Sequence, residues 1–191
     1  MLTIFIKRVL MAIPVLLAVA SLTFFLVKLA PGGPFDADKA VSPQVLKNLN
    51  EAYNLNASFL HGMFFENISD LQSQLQMDTL AYMRLERDFG SFDAWQKDFI
   101  ACAMSSRNGW VLTVYNMHLN RYINVVVDLH SQNVPIASYP VVVLDCWEHS
   151  YYRDYLRDRK TYVHAMMKEL DWEIIEARFK KADKIAKVMA G

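Results

Sequence analysis

The residues with the clearest chemical potential lie where a β-rich run meets a helical pattern. Asp145 ends the run YPVVVLD, and His149 follows it four residues later. A bend between a strand and a helix can aim a carboxylate oxygen and an imidazole nitrogen with this spacing at one point, and this donor pair suits iron or manganese. An Asp-x-x-x-His pair also occurs as a solvated or hydrogen-bonded histidine beside an acid. Spacing alone therefore leaves both interpretations open.

Three β-rich runs must position this bend, and they lie at 109–115, 122–127 and 139–145. The polar residues 116–120 suit a hairpin between the first two runs, and Pro135 and Pro140 bound the third. We expect a small antiparallel sheet whose last strand ends at Asp145.

Helical patterns precede and follow the sheet. Ser69 with Gln72 fits a capping box that opens a helix through about residue 87, and Ser91 is predicted to cap a second helix over 92–106. The pattern is helical again from residue 148, with Asp171 as the predicted cap between two helices. Helices on both sides of a small antiparallel sheet predict an α+β fold.

An uncharged segment lies near the N-terminus. Residues 9–27 read VLMAIPVLLAVASLTFFLV, and a helix of this length at about 1.5 Å per residue reaches across a hydrocarbon core. This predicts a membrane-spanning helix. A secretory signal cleaved near residues 18–20 and a buried soluble helix are the alternatives. Two positive charges, Lys7 and Arg8, precede the segment and one, Lys28, follows it, which favours a cytoplasmic N-terminus. Because the difference is a single charge, the side of the membrane on which residues after the segment lie stays open.

Composition excludes several classes of protein. The chain has 191 residues, with 20 Lys and Arg against 20 Asp and Glu, so it offers no basic surface for nucleic acid. A content of 53% hydrophobic residues with two cysteines excludes a disordered chain and a disulfide scaffold.

Residues 57–191 resemble the iron/manganese superoxide dismutase family. The phrase DCWEHSYYRDY at 145–155 is similar to that family's metal-binding signature, and FGSFDAW at 89–95, Gly109-Trp110 and Asp171-Trp172-Glu173 resemble further family phrases in the same order. The resemblance implies a partial helical region at 57–88 and a C-terminal α/β domain at 89–191. It also implies a homodimeric oxidoreductase that converts superoxide to oxygen and hydrogen peroxide with one Fe or Mn per chain.

The resemblance assigns roles to individual residues. It makes Asp145 and His149 metal ligands, and it places His61, in the phrase LHGMFF, at the position of another ligand. Trp110 and Trp147 would wall the metal, although packing in the core explains tryptophans equally well.

Other roles concern the second layer of the site and the dimer. Gln132 falls where manganese-type members place a glutamine that hydrogen-bonds the metal-bound solvent. This position of the glutamine favours manganese over iron. Glu148 and Tyr152 resemble residues that reach across the family's dimer interface. The remaining histidines fit a hairpin, a loop and a helix surface and receive no role, namely His118, His130 and His164.

The N-terminal part departs from this family. The family's first ligand is a histidine on an N-terminal helix, and no histidine precedes His61. Residues 1–56 instead resemble the start of an oligopeptide-type ABC transporter permease, in LAPGGPF at 29–35 and YNLN at 53–56. We expect three protein ligands with an open side, reduced activity, and attachment to a bacterial-type inner membrane. The alternatives are an inactive fusion and a fragment of a permease.

Overall fold

A computed structural model describes residues 2–29, 42–68 and 73–190. The chain divides into two compact units, Met1–Asn50 and Glu51–Gly191. The predicted boundary between residues 56 and 57 lies close to this division. Both positions fall inside helix α2 (Pro43–Glu66), which begins with proline at its first position, where a missing N–H costs nothing.

The first unit contains helix α1 (Leu2–Leu29), with Pro14 inside it. Its described apolar side chains, such as Leu16 and Phe24, are exposed. In the part of the chain that the structure describes, no helix is long and apolar enough to cross a membrane. The prediction of a membrane-spanning helix over 9–27 is therefore not supported.

The second unit is built around a three-stranded antiparallel sheet in the order β2-β1-β3. The strands are β1 (Gly109–Asn116), β2 (Arg121–Asp128) and β3 (Ser138–Asp145), which confirms the three predicted runs and their hairpin. Pro140 lies inside β3 rather than at its boundary. It is tolerated because β3 is an edge strand and its pairing with β1 shifts register at this point.

Two helices precede the sheet. Helix α3 spans Leu80–Phe89. It begins there because the Thr79 side chain caps it, accepting a hydrogen bond from the backbone N–H of Tyr82. The predicted helix start at Ser69 and Gln72 lies outside the described residues, and residues 73–79 are not helical, so that prediction placed the helix too early. Helix α4 (Phe92–Ser105) begins as predicted, with the Ser91 hydroxyl accepting from Ala94 N at 3.0 Å.

Three helices follow the sheet, and they are α5 (Glu148–Tyr155), α6 (Arg159–Met166) and α7 (Trp172–Ala190). The Asp171 carboxylate caps α7, accepting from Glu173 N and Ile174 N at 3.1 and 3.2 Å. This confirms the predicted cap.

The core lies between the sheet and the helices packed against it. Strand β1, in the middle of the sheet, is buried along its whole length. The indole N–H of Trp95 on α4 donates to Thr113 Oγ on β1 at 2.8 Å, so this fully buried side chain has a partner for its polar atom. The α+β fold is confirmed, and its strand β3 delivers Asp145 to the start of α5.

Candidate metal centre

Three side chains from three elements converge at the C-terminal end of β3. His61 comes from α2, Asp145 ends β3, and His149 lies in the first turn of α5. One ligand atom from each lies within 4.8 Å of the other two. Asp145 Oδ2 is 3.2 Å from His149 Nε2 and 3.7 Å from His61 Nε2. Two imidazoles and one carboxylate form a donor set typical of mononuclear iron sites, and it also suits manganese.

The Asp145 carboxylate is held in place by its own loop. Its Oδ1 accepts the Trp147 backbone N–H at 2.9 Å, which leaves Oδ2 to face the histidines. The hydroxyl of Tyr162 on α6 donates to the Asp145 backbone oxygen at 2.7 Å. Burial raises the pKa of Asp145, and the Trp147 N–H and the two histidines only partly offset that rise. The ionised Asp145 carboxylate is therefore unfavourable at this buried position unless a positive charge lies beside it.

The tautomer of His61 follows from its hydrogen bond. His61 Nδ1 lies 2.7 Å from the backbone oxygen of Ala57, one helical turn earlier, and a carbonyl oxygen can only accept. Nδ1 therefore carries the proton, and Nε2 presents a lone pair toward Asp145 Oδ2. A metal ion bound by both atoms, or a proton on Nε2, would turn this contact between two acceptors into a favourable one. The same arrangement orients histidine ligands in metal sites generally.

The cluster has an open side. The side chain of Asp145 is 2% exposed, whereas those of His61 and His149 are 32% and 57% exposed. Among the described residues, the group of possible ligands at this place consists of these three side chains.

The sequence profile of the iron/manganese superoxide dismutases, C-terminal domain, matches residues 77–178. The chain belongs to the iron/manganese superoxide dismutase family. It is 39% identical over 133 residues to superoxide dismutase [Mn] 2 of Haloferax volcanii, a match that covers 70% of this chain and 66% of that relative. It is 40% identical over 116 residues to superoxide dismutase [Mn] 1 of Haloferax mediterranei, covering 61% of this chain and 79% of the relative.

A relative named for iron is also similar. Superoxide dismutase [Fe] of Cupriavidus metallidurans is 32% identical over 152 residues, covering 77% of this chain and 75% of the relative. The chain spans just under two thirds of the length of the Haloferax volcanii relatives that it matches, 66% in each case. These matches support the dismutase resemblance and give no support to the permease resemblance of residues 1–56.

The two tryptophans assigned from the dismutase family lie at the cluster. The ring centroids of Trp110 and His61 are 4.7 Å apart in an edge-on contact, and those of Trp147 and His149 are 5.9 Å apart in a stack. Trp110 is fully buried, so both its predicted roles, core packing and walling of the site, are compatible with its place.

Gln132, Glu148 and Tyr152 lie on the surface of this chain. Gln132 is exposed and pairs its backbone N–H with the oxygen of Asp128 at 3.1 Å. None of the hydrogen bonds and ring contacts found at the cluster among the described residues involves its side chain. Glu148 and Tyr152 are exposed on α5, beside His149. Their role in a dimer stays a prediction.

His130 is the site residue that the sequence analysis missed. Its Nδ1 accepts the Trp110 indole N–H at 2.9 Å, and its ring stacks on Trp147 with centroids 5.1 Å apart. The edge of the Tyr53 ring packs against it at 4.7 Å. Burial lowers the pKa of His130, and His61 and His149 lower it further. One signal pointed to it, because the buried indole N–H predicted for Trp110 required an acceptor nearby.

Proposed function

We propose that this chain is a superoxide dismutase whose iron or manganese ion is held by His61, Asp145 and His149. The single observation that carries the proposal is the convergence of two imidazoles and one buried carboxylate from three elements, with one ligand atom from each within 4.8 Å of the other two. The two metals are those in the names of its relatives, manganese in Haloferax and iron in Cupriavidus.

The proposed reaction converts two superoxide ions and two protons to oxygen and hydrogen peroxide. Iron or manganese supplies the electron transfer, since the bound ion alternates between its divalent and trivalent states. Asp145 contributes the negative charge that favours the trivalent state. His61 and His149 contribute neutral donors and leave an open side through which a small anion reaches the centre.

The chain's own proton-holding group in this proposal is His130. Because Trp110 donates to its Nδ1, His130 carries its proton on Nε2, and its lowered pKa keeps the ring neutral. In this state the Nε2–H of His130 can donate a hydrogen bond to solvent near the ligands, while its Nδ1 is occupied by the Trp110 indole. The role that the sequence analysis gave to Gln132 stays a prediction, and its side chain is exposed.

We further propose that activity is lower than in a relative with four protein ligands. The described cluster has three ligand groups, and two of them are substantially exposed. Each missing donor weakens binding and admits water to the ion.

Metal content of the purified full-length chain tests the proposal directly. We expect nearly one Fe or Mn per chain by elemental analysis, and a loss of most of it in His149→Ala. The matched control is His164→Ala, because His164 is an exposed histidine on α6 outside the cluster. Equal metal content in both variants, or a folded wild-type chain without metal, would contradict the proposed site and favour the inactive-fusion alternative.

The assembly proposed for the chain is a homodimer that uses the α5 surface around Glu148 and Tyr152. Both side chains are exposed beside His149, where a second copy would shield the open side of the site. We expect sedimentation at twice the chain mass, and a shift toward monomer in Tyr152→Ala.

Membrane attachment through α1 is likewise a proposal. Its support is the exposure of described apolar side chains such as Leu16 and Phe24. We expect the full chain in the membrane fraction, and Leu16→Asp in the soluble fraction, because a charge opposes burial in lipid. Wild-type chain found wholly in the soluble fraction would contradict attachment.

A further inference from the structure

The C-terminal end of α2 is tied to the sheet by a buried cation. Arg178 on α7 is buried, and its Nη2 donates to the Met63 backbone oxygen at 3.0 Å. The same atom donates to Glu66 Oε2 at 2.7 Å. A positive charge at the C-terminus of a helix satisfies carbonyls that have no partner inside the helix and complements the helix dipole. Arg178 therefore fixes where α2 ends.

Asn67 connects the same place to β3. Arg178 Nη1 donates to Asn67 Oδ1, which leaves the amide nitrogen free to donate, and Asn67 Nδ2 donates to the Val143 backbone oxygen at 2.6 Å. Arg178 Nη1 also lies 3.4 Å from the Val141 oxygen. Asn67 is fully buried, so these bonds are made without competition from water.

These bonds join the two elements that carry facing ligands. His61 lies on α2 six residues before Asn67, about 9 Å along the chain axis at the rise of a helix. Asp145 lies on β3 two residues after Val143. A displacement of α2 relative to β3 would change the 3.7 Å separation between His61 Nε2 and Asp145 Oδ2 directly.

We propose that Arg178 and Asn67 are positioning residues that set the distance between His61 and Asp145, and hence the metal affinity. The inference rests on the proposed metal site. Neither residue touches the cluster, so they act through the placement of α2 against β3. Residues that orient the ligands of a metal typically change its affinity by roughly tenfold to 100-fold when replaced.

The test measures the Kd of Mn²⁺ for the full chain by calorimetric titration, well below each variant's unfolding temperature. Arg178→Lys keeps the charge, but its single ammonium nitrogen cannot occupy the places of both Nη1 and Nη2, and we expect its Kd to rise about tenfold. Asn67→Asp keeps the acceptor for Arg178 and removes the donor to Val143, so it tests the link separately if Arg178→Lys fails to fold.

The matched control is Arg84→Lys. Arg84 makes a similar fork to Asp183, with bonds of 3.2 and 2.7 Å that join α3 to α7, and among the described residues it donates to neither α2 nor β3. We expect this control to keep its Kd within twofold of wild type, even where its Tm falls. The paramagnetic resonance spectrum of bound Mn²⁺ should change in Arg178→Lys and Asn67→Asp and stay as in wild type in Arg84→Lys.

The outcomes separate the two proposals. Metal binding by the wild type with an unchanged Kd and spectrum in Arg178→Lys or Asn67→Asp would overturn the positioning role and leave the metal site intact. Equal increases of Kd in all three variants would assign the effect to general destabilisation and also overturn it. A wild-type chain that binds no Mn²⁺ would overturn the metal site and the positioning role with it.

Discussion

Replacement of Asp145 by Asn should stabilise the metal-free protein and destabilise the protein in the presence of metal. Asp145 is buried, and burial raises its pKa above the ordinary value. A carboxyl whose pKa is higher in the folded than in the unfolded state contributes stability at acid pH, and this contribution is lost as the pH rises through the folded-state pKa. At pH 8 the wild-type chain therefore folds around a carboxylate whose charge its surroundings compensate incompletely.

The expected size follows from the contacts of that carboxylate. Asn retains an oxygen for the Trp147 N–H, and its amide nitrogen can donate to a ring nitrogen of His149 or His61, so the site keeps hydrogen-bond partners without the charge. Removing an incompletely compensated buried charge is worth about 2 kcal/mol. For a unit of this size that corresponds to a rise in Tm of roughly 6 °C. Free Mn²⁺ at 1,000 times its Kd stabilises the wild type by about 4 kcal/mol and the variant hardly at all, so the order reverses.

The assay is thermal unfolding of both proteins at pH 8, with a chelator and with excess Mn²⁺. A repeat at pH 4 with chelator checks the sign, because the difference should shrink where the carboxyl is protonated. The reasoning would be refuted by a metal-free Asp145→Asn protein less stable than the wild type at pH 8. That result would mean that the Trp147 N–H and the histidines already compensate the charge.

Two further predictions concern the groups around the ligands. Tyr162→Phe removes the donor to the Asp145 backbone oxygen and should lower the free energy of unfolding by about 1 kcal/mol in urea denaturation, whereas Tyr155→Phe serves as a control on the same aromatic cluster. Trp110→Phe removes the N–H that stabilises the neutral form of His130, so the pKa of His130, measured by NMR titration, should rise. An unchanged His130 titration would show that burial and the neighbouring histidines keep this ring neutral without the indole.

The sheet could be predicted from the sequence because its signals are local. Alternating and β-branched runs end at polar hairpin residues, and the observed strands begin and end within a residue of the prediction. The caps at Ser91 and Asp171 are also local, since each side chain accepts a hydrogen bond from a backbone N–H two or three residues later. Thr79 was missed as a cap because the Ser69 and Gln72 pattern offered an earlier start of equal local quality.

The site was less predictable because its parts are distant in sequence. Asp145 and His149 are four residues apart, and their pairing could be anticipated from one bend. His61 reached the site only through resemblance to a family, since spacing says nothing about a residue 84 positions before Asp145. His130 was overlooked because its loop gives no periodic signal. Its place in the site depends on the hydrogen bond that it accepts from the indole N–H of the buried Trp110.

The bonds that Arg178 and Asn67 make to β3 also affect how the sheet meets other chains. β3 is an edge strand, and its outward carbonyls at Val141 and Val143 already accept from these two side chains. These two acceptors are therefore not open to pairing with another strand, and covering an edge in this way is one means by which natural sheets avoid edge-to-edge aggregation. Loss of these bonds would therefore leave backbone carbonyls of β3 unpaired at the edge of the sheet. We would then expect the protein to form β-rich aggregates.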